Sequence, residues 1–261
     1  MLRIPVIVLA LFAASPCTAS AADEWGDLTL RFVYDGQPPK PRKLTIDKDQ
    51  HVCKEGELMD ESLLVGEKDR GLANVVVWLS QAKEDAPAPI HETYEKSARA
   101  EVSLVAKGCR YEPHLTLVRS SQVLVLKNLD PIGHTFRVDL PNNAFVHTLP
   151  PGRDDKLTFT AGERIPAQVA CPIHPWMNGW LFVHDSPYTA ASNAAGKLNL
   201  EKLPAGRWTF RLWHERAGFL KRGSVGGKEV EWPRGEIELD IKPGPNAVGD
   251  VLIKPDLFNK N

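Results

Sequence analysis

Apolar runs of period two, cut by proline- and glycine-rich turns, recur along this chain and predict strands nearly everywhere. Residues 28–34 (Leu-Thr-Leu-Arg-Phe-Val-Tyr) alternate and then break at Asp35-Gly36-Gln37-Pro38-Pro39, the pattern of a strand entering a turn. Residues 72–79 are almost continuously apolar and suit a buried central strand. Residues 115–118 and 122–126 are rich in leucine and valine, 157–160 follow the turn Pro150-Pro151-Gly152, and 166–170 and 179–183 flank a short loop. Beyond Pro187 the segments 197–200, 207–213 and 236–241 alternate again around turns at 193–196 and 203–206. Residues 81–97 carry acids, Pro87 and Pro89 without a period, and read as an exposed excursion. No internal repeat is visible, and no helix longer than a turn or two is predicted. The expected fold class is all-β: a Greek-key β-sandwich over residues 107–186, an N-terminal β extension over 22–106 packed on it, and a second, smaller β-sandwich over 187–261.

The N-terminus changes the picture of where the protein works. Residues 1–21 read as a secretory signal peptide, with Arg3 as the basic start, an apolar run over 4–14 and Ala19-Ser20-Ala21 as the cleavage site. That run is too short to span a bilayer, so a mature chain of about 240 residues is expected in the periplasm or otherwise exported, with no membrane span. Pro16 directly before Cys17 fits a lipid-anchored protein poorly. The formal charge is −1, or −2 once Arg3 leaves with the signal, which argues against nucleic-acid or membrane-surface binding. A Gly-x-Ser-x-Gly elbow, a His-Glu-x-x-His pair and a phosphate-cradling glycine loop are all missing from the sequence, so the chain is not expected to be an enzyme.

The candidate chemistry lies in Cys171-Pro172-Ile173-His174-Pro175-Trp176-Met177. Thiolate and thioether donors with imidazole favour copper, and a blue-copper site takes two histidines, one cysteine and a weak axial methionine. The missing imidazole stands 37 residues upstream, in Asn128-Leu129-Asp130-Pro131-Ile132-Gly133-His134-Thr135. The expected metal ligands are therefore His134, Cys171, His174 and Met177, around one type 1 copper. Zinc is disfavoured by the Met and by the lack of a second thiol. Thr135 is placed to donate towards the sulfur, and Trp176, with Trp180 and Ile173, to exclude water; both effects tune a redox potential. Export leaves Cys53, Cys109 and Cys171; with Cys171 spoken for, Cys53 pairs with Cys109, and a disulfide at Cys171 is the rival that would destroy the site.

These residues resemble the cupredoxins, the type 1 blue copper proteins, over roughly residues 109–184. The Cys-x2-His-x2-Met loop and its Pro-aromatic-Met ending look most like amicyanin, and Tyr111-Glu112-Pro113 followed by Asn128, Asp130 and His134 is similar to the usual entry to the first ligand. By that resemblance His134, Cys171 and His174 are equatorial and Met177 axial. Thr135 replaces the usual Asn, and Ala167 and Val169 replace the usual aromatics. The layout also resembles exported methylamine-utilisation or cupredoxin-domain proteins, at residues 107–114, at 171–177 and at Leu212-Trp213-His214-Glu215. In that group a carboxypeptidase-regulatory-like sandwich follows the copper domain.

The expected function is that of a one-electron carrier. By resemblance its redox partners are a c-type cytochrome or a dehydrogenase, docking on an exposed His174 edge. The rival is a non-redox sandwich that binds a protein or glycan, with structural copper or none. In the other arrangement that the sequence leaves open, the C-terminal unit covers this edge, with Trp213 and His214 facing it, and closes the centre to partners. Structural roles are expected for His114 and His147, positions flanking the junction to the C-terminal unit for His184 and His214, with an interface bond beside Glu215 for His214, and surface positions for His51 and His91.

Overall fold

The computed structural model describes residues 25–54, 56–80 and 87–259; the expected signal peptide and Cys17 lie outside them. Among the described residues nineteen strands follow in order. They begin with β1 (Trp25–Tyr34), β2 (Val76–Ser80), β3 (Glu101–Lys107), β4 (Arg110–Glu112), β5 (Leu115–Arg119) and β6 (Val123–Asn128). Next come β7 (His134–Val138), β8 (Phe145–Leu149), β9 (Asp154–Leu157), β10 (Ala167–Ala170), β11 (Asn178–His184) and β12 (Thr189–Ala191). The last are β13 (Lys197–Pro204), β14 (Gly206–His214), β15 (Gly218–Phe219), β16 (Arg222–Val225), β17 (Lys228–Glu231), β18 (Glu236–Ile241) and β19 (Gly244–Ile253). One helical turn, α1 (Gln50–Cys53), interrupts the long connection from β1 to β2. Among the described residues no helix is long and apolar enough to cross a membrane.

The all-β expectation holds, in two sandwiches. The central one faces the sheet β5-β11-β10-β7-β8 against β4-β3-β6-β9, over a core that includes Leu104, Leu126, Phe136, Val169 and Leu181. The outer one faces β13-β1-β19-β16-β17 against β12-β2-β14-β15, with β18 beside β14.

The expected division of the chain is corrected here. Residues 28–79 do not add strands to the central sandwich: β1 lies between β13 and β19, and β2 between β12 and β14. The reason is visible in the pattern of β1, whose Leu28, Leu30 and Phe32 face the same core as Leu200, Phe210 and Val251. The strand β3, assigned by sequence to the N-terminal region, instead pairs in parallel with β6 and belongs to the central sandwich. From β1 the chain thus runs in the outer sandwich, builds the central one as an insertion, and returns.

The two sandwiches pack back to back. In β2, Val77 and Leu79 face the outer core while Val76 and Trp78 face the other way, which explains why that strand has no polar face. In β11, Leu181 and Val183 face the central core, and Phe182 joins Val76, Trp78 and Trp213 between the sandwiches. Glu215 fastens this interface, with one carboxylate oxygen 2.5 Å from His114 Nε2 and the other accepting from Trp180 Nε1 at 2.8 Å. Burial alone would lower the pKa of His114, but Glu215 and Glu61 outweigh it and raise it. The interface bond expected of His214 is therefore made by His114. His214 is buried beside Phe258, where burial pushes it down to about 3.

Candidate metal centre

The first imidazole is set by a chain of polar contacts. Buried Asn128, at the end of β6, donates from its amide to Ile132 O at 2.7 Å and Leu149 O at 2.9 Å, and accepts from Asp130 N at 3.0 Å. These bonds shape the loop that delivers His134 to the start of β7. The Asp130 carboxylate accepts from Gly108 N at 2.6 Å, Cys109 N at 2.8 Å and His134 Nε2 at 2.8 Å. Gly108 and Cys109 have φ of 59° and 58°, the two left-handed residues of a tight hairpin turn between β3 and β4.

The second group comes from the loop between β10 and β11. His174 N donates to Cys171 O at 3.2 Å, Met177 N to His174 O at 2.8 Å, and Cys171 N to Met177 O at 3.2 Å. The loop therefore closes on its own backbone, with Pro172 and Pro175 removing donors that have no role in it. Cys171 is a free, buried thiol, and Cys53 is bonded to Cys109. The Met177 side chain is buried in the same apolar cluster as Cys171.

Cys171, His134 and His174 converge, with a donor atom of each lying within 4.8 Å of the others. The two Nδ1 atoms are 3.1 Å apart, and His174 Nδ1 is 3.7 Å from Cys171 Sγ. Each ring gives its Nε2 to a carboxylate, His134 to Asp130 and His174 to Asp49, both at 2.8 Å. Carboxylates only accept, so both Nε2 atoms carry protons and both Nδ1 atoms face the sulfur and each other. Such a cluster requires positive charge in its middle, from a proton or from a metal ion. A second grouping, Cys109 with Asp130 and His134, offers no thiolate because Cys109 is disulfide-bonded.

The electrostatics agree. Burial by itself would raise the Cys171 thiol, yet bonds from His134, the Thr135 N–H and His174 bring it down to about 6. Burial would lower His134, but Asp130 and Cys171 lift it to about 9. Thr135 N donates to Cys171 Sγ at 3.4 Å, and the Thr135 carbonyl accepts from the buried Tyr111 hydroxyl. Tyr111 is held far above its usual value by burial first and then by the Cys171 sulfur. Trp176 packs against the His174 ring, with centroids 5.2 Å apart.

A proton count follows. Between pH of about 6 and 9 the metal-free protein holds an ionised Cys171 and a protonated His134. A metal ion must displace the His134 proton, since ligands bind deprotonated. Calorimetry in buffers of different ionisation enthalpy should then show about one proton released per metal within that window, rising towards two below pH of about 6. Release that does not change with pH would mean the pair is not in the site.

Sequence reasoning brought together His134, Cys171, His174, Met177, Thr135 and Trp176, and it gave no role to Asp49 or Asp130. The spacing Asp130-x3-His134 was a usable signal for the latter; nothing local marks Asp49. The expectation of an exposed His174 edge is corrected: His174 is 0% exposed. Asp49 meets its Nε2 and Trp176 packs on its ring, whereas Trp213 of the C-terminal unit packs on Trp180. His147, half-buried, pairs with Asp155, and His184 bonds Ser186. His51 is exposed; His91 packs edge-on against Trp25.

No family model and no curated protein matches the chain. Solved structures resemble parts of it. A copper-containing nitrite reductase from Thermus scotoductus aligns at a TM-score of 0.30 and 19% identity, over 41% of this chain and 25% of that one. A reduced variant of amicyanin gives 0.29 and 17%, over 32% and 82%. A purple cupredoxin from Nitrosopumilus maritimus gives 0.27 and 17%, over 31% and 97%. The match thus spans about a quarter of the nitrite reductase.

Proposed function

We propose that the protein is an exported type 1 copper protein that carries single electrons. The observation that supports this most is the convergence of the Cys171 thiolate with the inward Nδ1 atoms of His134 and His174. When bound, copper supplies one-electron chemistry. His134, Cys171 and His174 would hold it, with Met177 as a weak further donor; a zinc site would want a harder or second thiolate donor in that place. The Thr135 N–H bond to the sulfur withdraws charge from the thiolate, and the backbone bonds that close the loop would restrain the ligands in either oxidation state. Four donors leave no position for a substrate, which favours a carrier over an enzyme. The partner is proposed to be a redox protein such as a c-type cytochrome or a dehydrogenase. The approach to Cys171 left open is a depression of about 390 Å³ at Arg137, Asp139, Gln168, Pro172 and Pro175.

The burial of His174 favours a second reading, in which copper is structural and the sandwiches dock a partner. Titration with Cu(II) followed by voltammetry separates the two. One equivalent bound with an intense visible band and a reversible one-electron couple supports the carrier; stoichiometric copper with no reversible couple supports the structural role; no copper bound sinks both. Met177→Leu should keep the copper and raise the midpoint potential, because a lost axial donor disfavours Cu(II) more than Cu(I). An unchanged potential would remove Met177 from the ligand set.

A further inference from the structure

The segment that closes the histidine edge belongs to the chain itself and is built as a loop with joined ends. Leu44 N donates to Leu58 O at 2.9 Å and Asp60 N to Arg42 O at 2.8 Å, so the chain leaves at 42–44 and returns at 58–60 in one place. Ile46 and Cys53 pack with Cys109 in a small apolar cluster that Leu44, Val52 and Trp176 complete. Asp49 precedes the single turn of α1, and Val52 N and Cys53 N both donate to its carbonyl at 2.9 Å. Its φ of 44° and ψ of 41° are left-handed, a conformation that Asp, Asn and Gly tolerate better than other residues. A carboxylate here would ordinarily bond the turn's own N–H groups, yet it makes no such bond. Its Oδ2 instead accepts from His174 Nε2 at 2.8 Å.

We infer that residues 42–54 and 56–60 form a tethered cap on the metal centre and that Asp49 is a positioning residue, fixing the His174 ring so that Nδ1 faces the thiolate. Both imidazoles are then oriented from one covalent anchor. Cys53 closes the turn that carries Asp49, and Cys109, bonded to it, donates its N–H to Asp130, which holds His134. Each carboxylate makes its imidazole a stronger donor, and together they favour the more highly charged ion, Cu(II) over Cu(I). The cap also occupies the face on which an exposed ligand edge would meet a partner. This assignment rests on the copper reading for its redox consequence, but the contact of Asp49 with His174 does not.

Two variants test it without straining the backbone. Asp49→Asn keeps the left-handed conformation and an acceptor but removes the charge; Asp49→Gly keeps the conformation and removes the side chain. In the metal-free protein, imidazole nitrogen NMR should show His174 protonated at Nε2, with both tautomers populated in Asp49→Gly. In the copper-loaded protein, Asp49→Asn should weaken the preference for Cu(II) roughly tenfold, an upward shift of about 59 mV for one electron. Asp49→Gly should speed capture of Cu(I) by a chelator about tenfold or more, the order expected for a lost outer partner. Wild-type tautomers in Asp49→Gly would overturn the positioning role whatever the metal. Copper-loaded variants with the wild-type potential and capture rate would overturn the cap. A wild-type protein that takes up no copper, with the tautomer shift still present, would overturn the redox consequence through the copper reading and leave the contact standing.

Discussion

Cys171→Ser should abolish the visible charge-transfer band and weaken copper binding by more than the 10–100-fold that loss of an outer partner costs. The thiol is the one group in the cluster that supplies negative charge directly to a metal. It is brought down to about 6 by its donors, so it is already a thiolate near neutral pH. A serine hydroxyl in the same place stays protonated at that pH and offers a hard, weak donor. The fold should survive, because the loop is closed by backbone bonds and not by the sulfur. His134 should also lose part of what raises it, since Cys171 contributes to its pKa of about 9. Absorption spectra, copper titration and thermal melts of the pair check this. A serine variant that keeps the band would move the thiolate elsewhere, and among the described residues no other free cysteine exists.

Much of this centre was legible because its donors are close in sequence and chemically rare. Cys171, His174 and Met177 lie within one turn-rich loop, and His134 ends a strand-and-turn segment whose Asn128 and Asp130 shape it. The disulfide followed from the odd number of cysteines beyond the expected signal peptide. Strands such as β1 and β11 could be read from alternation, although alternation says which face is buried and not against what. That gap explains the misassigned division of the chain. The apolar face of β1 fits any sandwich core, and only pairing with β13 and β19 shows which one. The polar pattern of residues 42–60 concealed the cap for a related reason: what makes Asp49 matter is the ring of His174, 125 residues away.

The covered edge also changes what a docking experiment can teach. With His174 open, charge changes at Ile173 and Trp176 would report on partner contact; with the cap in place, Trp176 belongs to the cluster beneath it. A charged residue there would loosen the cap first, and an effect on electron transfer would not identify a docking face. Substitutions at exposed Pro172 and Pro175 do not touch that cluster, and they are the cleaner probe of the remaining approach to Cys171.

Replacing both Cys53 and Cys109 with serine should lower stability by about 4 kcal/mol, the chain-entropy value for a loop of this length; the two are 56 residues apart. For a protein of this size that corresponds to a fall in Tm of about 8–16 °C. Most of the effect arises in the unfolded chain, which the bond keeps from exploring open conformations. A native part is added because Cys53 and Cys109 are buried, 2% and 0% exposed, in the small cluster under the cap. The variant should therefore show a second signature that an unfolded-state effect alone cannot give. Hydrogen exchange should quicken at the amides of Val52 and Cys53, which α1 protects, before any change in the strands of the central sandwich. Thermal melts with exchange measurements at both places check the pair of outcomes. A Tm within a degree or two of the wild type would mean that the connection from β1 to β2 is already constrained without the bond, by the pairing of residues 42–44 with 58–60.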